Sequence, residues 1–109
     1  MAKNLRLTDT VTIASSGTVS TTATMENNRI PLAIVLPAAL SGTSFNFQGS
    51  ADGANFYAIY ENGTLYAPTV GTSRIVTLNR AAMDSVKYIK LVSTTTETAA
   101  RTITIISGE

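Results

Sequence analysis

The sequence predicts an all-β fold: an antiparallel β-sandwich, jelly-roll-like, with at most one short helical turn. Three observations predict it. Short runs of alternating or continuous apolar residues recur along the chain. Turn residues separate them at regular spacing, as in sandwiches and barrels. Thr and Ser make up roughly a quarter of the sequence, and Thr favours strands. At 109 residues the chain is expected to form a single domain, 1–109, with one core.

The elements follow in order. Leu5, Leu7, Val11 and Ile13 alternate with Arg6, Thr8, Thr10 and Thr12, so one face is apolar apart from Asp9. Ser15-Ser16-Gly17 is a turn. Thr18 to Thr24 is β-prone but weakly apolar, which suits an edge strand. Glu26-Asn27-Asn28 turns again. Ile30 to Leu36 is apolar enough for burial on both faces, and Pro31 puts its start at a sheet edge or strand end.

Phe45 and Phe47 point one way from a strand at Thr43 to Gln48. Asp52-Gly53 turns the chain into Asn55 to Tyr60, where Phe56 and Tyr60 share a face and are expected to join Phe45 and Phe47 in the core. Asn62-Gly63 is a strong two-residue hairpin signal and leads into Thr64 to Val70. Arg74 to Leu78 is the next strand. Asn79 to Asp84 is the helical piece, with Asn79 as N-cap. Val86 to Val92 is a strand, Ser93 to Ala100 a Thr-rich loop, and Arg101 to Ile106 the closing strand.

Composition narrows the chemistry. The sequence holds no His and no Cys, so Ser-His-Asp and Cys-His nucleophiles are impossible within one chain, as are thiolate metal sites. The net charge is +1 and the eight basic residues are scattered, so neither nucleic acid nor an acidic membrane surface is an expected partner. Charged residues are 14% of the chain, against about 25% in typical domains. A hydroxyl-rich, weakly charged surface suits close protein contact, because few ions must be desolvated there. The longest apolar run, Ile30 to Leu40, is too short to span a bilayer and is broken by Pro31 and Pro37. The start of the chain lacks an apolar signal core, which implies synthesis in a cytoplasm.

The seven carboxylates fall into no paired motif, so the chain is expected not to be an enzyme and to carry no catalytic residue, metal or cofactor. Asp52, Asn55 and Glu61 offer oxygen atoms, but at no EF-hand spacing. The sharper candidates for contact are rings with a polar tip: Tyr57, Tyr60, Tyr66 and Tyr88, with Asp52 at the adjacent turn. Such tyrosines can form a platform for a sugar or a partner, with Arg74, Lys87, Lys90 and Arg101 beside them; they can equally pack at the sandwich rim.

The segments SFNFQGSADGANFYAIYENGT (44–64), SRIVTL (73–78) and AAMDSVKYIKLVS (81–93), in that order, resemble small virion proteins of tailed bacteriophages. The same "S-x-DG-x-N-aromatic" and "YIKL" pieces are similar to discoidin-like, galactose-binding β-sandwiches, where they are mostly structural. The phage resemblance implies a capsid decoration, or cement, protein. Such a protein would bind the outside of the head, clamp neighbouring major capsid subunits, and assemble with itself as a symmetric dimer or trimer. It would be made in the host cytoplasm and end on the capsid surface. Thr18 to Thr24 or the terminal RTITII would be free edges to add to a partner sheet, and Met1 to Asn4 an arm that orders on binding. The alternative is a tail or baseplate carbohydrate-binding module that touches the host surface through its tyrosines.

Overall fold

A computed structural model describes residues 6–25 and 29–108. The expected turn at Glu26-Asn27-Asn28 and the expected arm at Met1 to Asn4 lie outside the described residues. Among the described residues ten strands and one short helix follow one another: β1 (Arg6–Ile13), β2 (Ala23–Thr24), β3 (Ile30–Val35), β4 (Phe45–Ser50), β5 (Tyr57–Ala58), β6 (Tyr60–Glu61), β7 (Thr64–Leu65), β8 (Ile75–Thr77), α1 (Arg80–Met83), β9 (Tyr88–Ser93) and β10 (Arg101–Gly108).

Two four-stranded antiparallel sheets result, ordered β1-β10-β3-β8 and β2-β9-β4-β5, with β6-β7 as a separate hairpin. Counting the eight sheet strands along the chain, the first sheet takes the first, eighth, third and sixth, and the second takes the second, seventh, fourth and fifth. That interleaving of two Greek keys is the jelly roll. The β6-β7 hairpin is inserted between the fifth and sixth of these strands.

The core lies between the sheets. From the first sheet come Val11, Ile13, Ile34, Ile103 and Ile105; from the second come Phe45, Phe47, Ile89 and Leu91; all are essentially solvent-free. Their spacing is the reason for the fold. Alternate residues of β1, β4, β9 and β10 turn inward while Thr102, Asn46 and Lys90 stay nearer solvent. Met83 of α1 is buried as well, and α1 packs on β3. The Asn79 side chain accepts from the Ala81 N–H at 3.0 Å, so the expected N-cap is present.

Two strand expectations change. RTITII is not a free edge: β10 runs to Gly108 and pairs with β1 on one side and β3 on the other. Its inward Ile103 and Ile105 require cover that an edge position would not supply. Pro31 lies at a strand end, as expected: it is the second residue of β3 and sits opposite Ser107 where the β10–β3 register shifts. Thr18 to Thr24 is a crossover more than a strand. Ser20 bridges to Ile13 in one sheet and Val19 to Val92 in the other, and only Ala23–Thr24 forms β2, which is an edge.

Polar clamps close the sandwich. Arg29 donates to Asp9 of β1 (3.0 Å), to Ser107 of β10 (2.7 Å) and to the Thr24 carbonyl of β2 (3.1 Å), which ties the two sheets together. Asp9, the exception on the apolar face of β1, is thus explained by its partner.

Candidate functional site

The stretch from Gly49 to Tyr66 carries most of the expected contact residues, and the structure divides them into scaffold and surface. Asp52 is scaffold. Its carboxylate accepts from the Ala54 N–H (2.8 Å), the Asn55 N–H (2.9 Å), the Asn55 side-chain amide (3.0 Å) and the Ser50 hydroxyl (3.0 Å). Those donors, the Asn55 and Ala54 backbone first, hold its carboxyl below the usual carboxylate range. Asp52 is exposed but engaged, as an Asx turn requires. The oxygen set considered for calcium does not assemble: Asn55 is spent on Asp52, and Glu61 is bonded to Asn79 on the β6-β7 side. Among the described residues no group of three or more acidic side chains is placed to hold a metal.

Tyr88 belongs to the same turn. Gly53 has φ +82°, and a Cβ built there would fall 2.9 Å from the Tyr88 ring. The ring therefore lies directly on the turn, with the Lys87 ammonium 5.9 Å from its centre. Tyr66 is also structural. Its ring stacks on Phe47, centroids 5.7 Å apart, and its hydroxyl accepts from the Asn79 N–H at 2.7 Å.

Tyr57 and Tyr60 are different. They are 71% and 62% exposed, the most exposed large side chains of apolar character on the described protein. This corrects the expectation that Phe56 and Tyr60 fill the core. The strand breaks after Ala58: the Ile59 N–H donates to the Phe47 carbonyl, and the Ile59 carbonyl accepts from Tyr66. Ile59 takes the inward position, so Tyr60 faces out. Phe56 is half-buried under the Lys90 ammonium, 4.3 Å from its ring centre.

Both exposed tyrosines line one cleft of about 420 Å³. Its floor includes Gly49, Ile59 and Val86, and Glu61 and Ser85 supply polar atoms. Gly49 makes the floor: a Cβ there would meet Val86 at 2.5 Å, so only glycine lets Val86 lie on the sheet. The hairpin that carries Tyr60 is fixed by the Tyr66–Phe47 stack, the Tyr66–Asn79 bond and the Glu61–Asn79 bond, while Tyr57 lies on β5, paired with β4. Exposed rings beside an apolar floor offer surface that a partner can bury. Of the basic residues expected beside the tyrosines, Lys87 and Lys90 lie against Tyr88 and Phe56, outside the cleft, and the two arginines are engaged elsewhere. Arg101 is paired with Glu97 at 2.9 Å, while Arg74 bonds the Thr72 carbonyl.

Sequence reasoning missed Glu97. It is completely buried inside the loop read as merely Thr-rich. Its carboxylate accepts from the Ser41 N–H (2.8 Å), the Gly42 N–H (3.0 Å), the Ser93 hydroxyl (2.8 Å) and Arg101 (2.9 Å). Burial raises its pKa, but the Ser41 N–H, Arg101, Ser93 and the Gly42 N–H outweigh burial and bring it from 4.5 to about 2. No local pattern marks such a residue, because the N–H partners are more than fifty positions away.

Fold and site together define a jelly-roll β-sandwich with a tyrosine-edged surface cleft. No protein-family model matches the chain, and no curated protein matches it in sequence. Among solved structures it is similar to the SPBc2 prophage-derived protein YomS, with a TM-score of 0.62 and 10% identity over 100% of this chain and 99% of that one. The two share a fold from end to end.

Proposed function

We propose that the chain is a structural protein of a tailed-phage particle: a decoration protein that binds the outside of the head and joins neighbouring major capsid subunits, by contact and not by catalysis. The observation that carries this reading is the end-to-end likeness to a prophage-derived protein, itself a chain of almost the same extent. The weakly charged, hydroxyl-rich surface supports it, since repeated contacts on a shell are cheaper where few ions lose water. In this reading the product is made in the host cytoplasm and ends on the capsid surface. Its partners are the major capsid protein and further copies of itself.

Quantitative mass spectrometry on purified particles tests it. A copy number in simple ratio to the major capsid protein is the expected result. A count matching the tail would move the protein there; absence from particles would sink the reading.

One observation favours a second reading, recognition of a host-surface saccharide from the tail or baseplate. Tyr57 and Tyr60 edge the same cleft, and aromatic rings pack against the C–H faces of sugars while Glu61 and Ser85 can bond hydroxyls. On a glycan array, Tyr57→Ala and Tyr60→Ala would each abolish binding with the melting temperature unchanged. A wild-type chain blank on the array would dismiss this reading.

A further inference from the structure

We infer that Asn62, at the tip of the β6-β7 hairpin, is a modification site whose side-chain amide the chain's own backbone converts into a carboxylate. Asn62 is the one asparagine in the sequence followed by glycine. The chemistry needs that neighbour. The Gly63 backbone nitrogen attacks Asn62 Cγ, and the new N–Cγ bond closes a succinimide ring. The Cγ–Nδ2 bond breaks, and ammonia leaves with the Gly63 amide proton. Water then opens the ring at either carbonyl and gives aspartate or isoaspartate at position 62. Nothing is oxidised or reduced. Glycine lacks the Cβ that crowds the attacking nitrogen in any other residue.

The structure leaves the tip open. Asn62 and Gly63 are both exposed. Among the described residues neither the Asn62 side chain nor the Gly63 N–H has a hydrogen-bond partner. A Cβ at Gly63 would meet nothing within 4 Å, so no neighbour covers that side. The ring closes only when the backbone rotates out of the tight-turn conformation, φ +53° at Asn62, and Glu61↔Thr64 is the ladder pair that holds the tip there. The end of a hairpin two pairs long opens locally at small cost.

The other described asparagines are held. Asn55 gives its side-chain amide to Asp52 at 3.0 Å and precedes Phe56. The Asn79 side chain accepts from the Ala81 N–H, donates to Glu61 and precedes Arg80. Asn46 lies within the continuous ladder of β4 with β9 and precedes the fully buried Phe47.

The product acts on the cleft. Aspartate keeps the turn, because it tolerates positive φ as asparagine does. Isoaspartate does not: its side-chain methylene enters the backbone and lengthens a loop that two positive-φ residues had closed. Glu61↔Thr64 is the pair next to the tip, and Tyr60 and Glu61 both line the cleft. The cleft wall at Tyr60 therefore loosens as isoaspartate accumulates. This holds whatever the cleft binds.

Incubation of the folded chain in mildly alkaline buffer, beside a urea-denatured sample, tests the inference. Peptide mapping by mass spectrometry follows both, with an isoaspartate-specific methyltransferase assay. The expected result is the mass gain of amide-to-acid conversion at Asn62 in the folded chain, ahead of Asn46, Asn55 and Asn79, with isoaspartate at that position. Gly63→Ala is expected to slow the gain roughly tenfold, a barrier higher by about 1.4 kcal/mol. Should Gly63→Ala fail to fold, Asn62→Gln serves instead: its side chain is one methylene longer, the small ring cannot form, and the gain at this position should vanish. Hydrogen exchange at the Tyr66 amide, bonded to the Ile59 carbonyl at 3.0 Å, should quicken in the isoaspartyl form. A folded chain that gains nothing at Asn62 while the denatured chain does overturns the inference, since the turn would then protect the site. So does an equal gain at Asn46, Asn55 or Asn79, or a rate that Gly63→Ala leaves unchanged. Unchanged exchange at Tyr66 overturns the effect on the cleft wall.

Discussion

Glu97 shows how much a single side chain can hold. Its carboxylate binds the N–H groups of Ser41 and Gly42 and the Arg101 guanidinium, while its own backbone bonds Ser16 and Gly17. Three loops at one end of the sandwich thus meet on one residue. Glu97→Ala leaves those donors and the Arg101 charge without their acceptor, and the expected loss is about 3 kcal/mol in chemical denaturation. A loss within a few tenths would mean that water replaces the carboxylate at little cost. At Gly53 and Gly63 the comparison is sharper. Both have positive φ, +82° and +80°, but only at Gly53 does an added Cβ meet a ring; at Gly63 it meets nothing within 4 Å. Alanine at Gly63 is expected to cost about 1 kcal/mol, from backbone conformation alone. Alanine at Gly53 must also displace Tyr88, and its cost should be roughly twice that. Equal losses would show that the Tyr88 ring yields freely. The Asp52-Gly53 turn was legible in the sequence because the hydrogen-bond partners of Asp52 are its near neighbours Ser50, Ala54 and Asn55, although the Tyr88 ring that covers the turn was not. Glu97 was not, because a buried acid in a Thr-rich loop looks the same as an exposed one until its distant donors are known.

Among the elements, the turns were easier to read than the strands they join. Asn62-Gly63 adopts φ +53° and +80°, the two positive values that a tight hairpin of this type needs. The strands it joins, however, are two residues each, where the pattern suggested six or seven. Alternation alone could not show that Ile59 would turn inward between two exposed tyrosines. Its backbone bonds reach Phe47 in one direction and Tyr66 in the other, and this double attachment breaks the strand. The hairpin is then held to α1 through Asn79, whose N–H donates to Tyr66 and whose side chain caps Ala81. Tyr66→Phe removes that acceptor while keeping the stack on Phe47. The expected effect is a loss of about 1 kcal/mol and faster hydrogen exchange at the Asn79 amide. If exchange at Asn79 did not change, the hairpin and α1 would be joined by the Glu61–Asn79 bond instead, and Glu61→Gln would be the variant that loosens it.

At the scale of the molecule, the sequence announced a sandwich and pointed to one edge, in Thr18 to Thr24, but misplaced another. Edge and centre differ in what covers them, and cover comes from pairings across the whole chain. RTITII is as β-prone as any edge, yet it sits between β1 and β3. The same wholeness appears in how stability should depend on pH. Glu97 ionises near 4.5 in an unfolded chain and near 2 in the folded one. Between those values the unfolded chain binds a proton that the folded chain refuses, so acid favours unfolding. The contribution is complete above about pH 4.5 and disappears as pH falls through 2. Asp52 acts in the same direction, more weakly because it is exposed. With no histidine in the chain, nothing of that kind titrates between pH 5 and 8. The melting temperature should therefore be flat from neutral pH to about 5 and fall steeply below 4.5. In Glu97→Gln the plateau should drop and the acid limb become shallower, because the group that took up the proton is gone. A variant with a lowered plateau but an unchanged acid limb would separate the two roles: Glu97 would still tie the loops, and other carboxylates would set the response to acid.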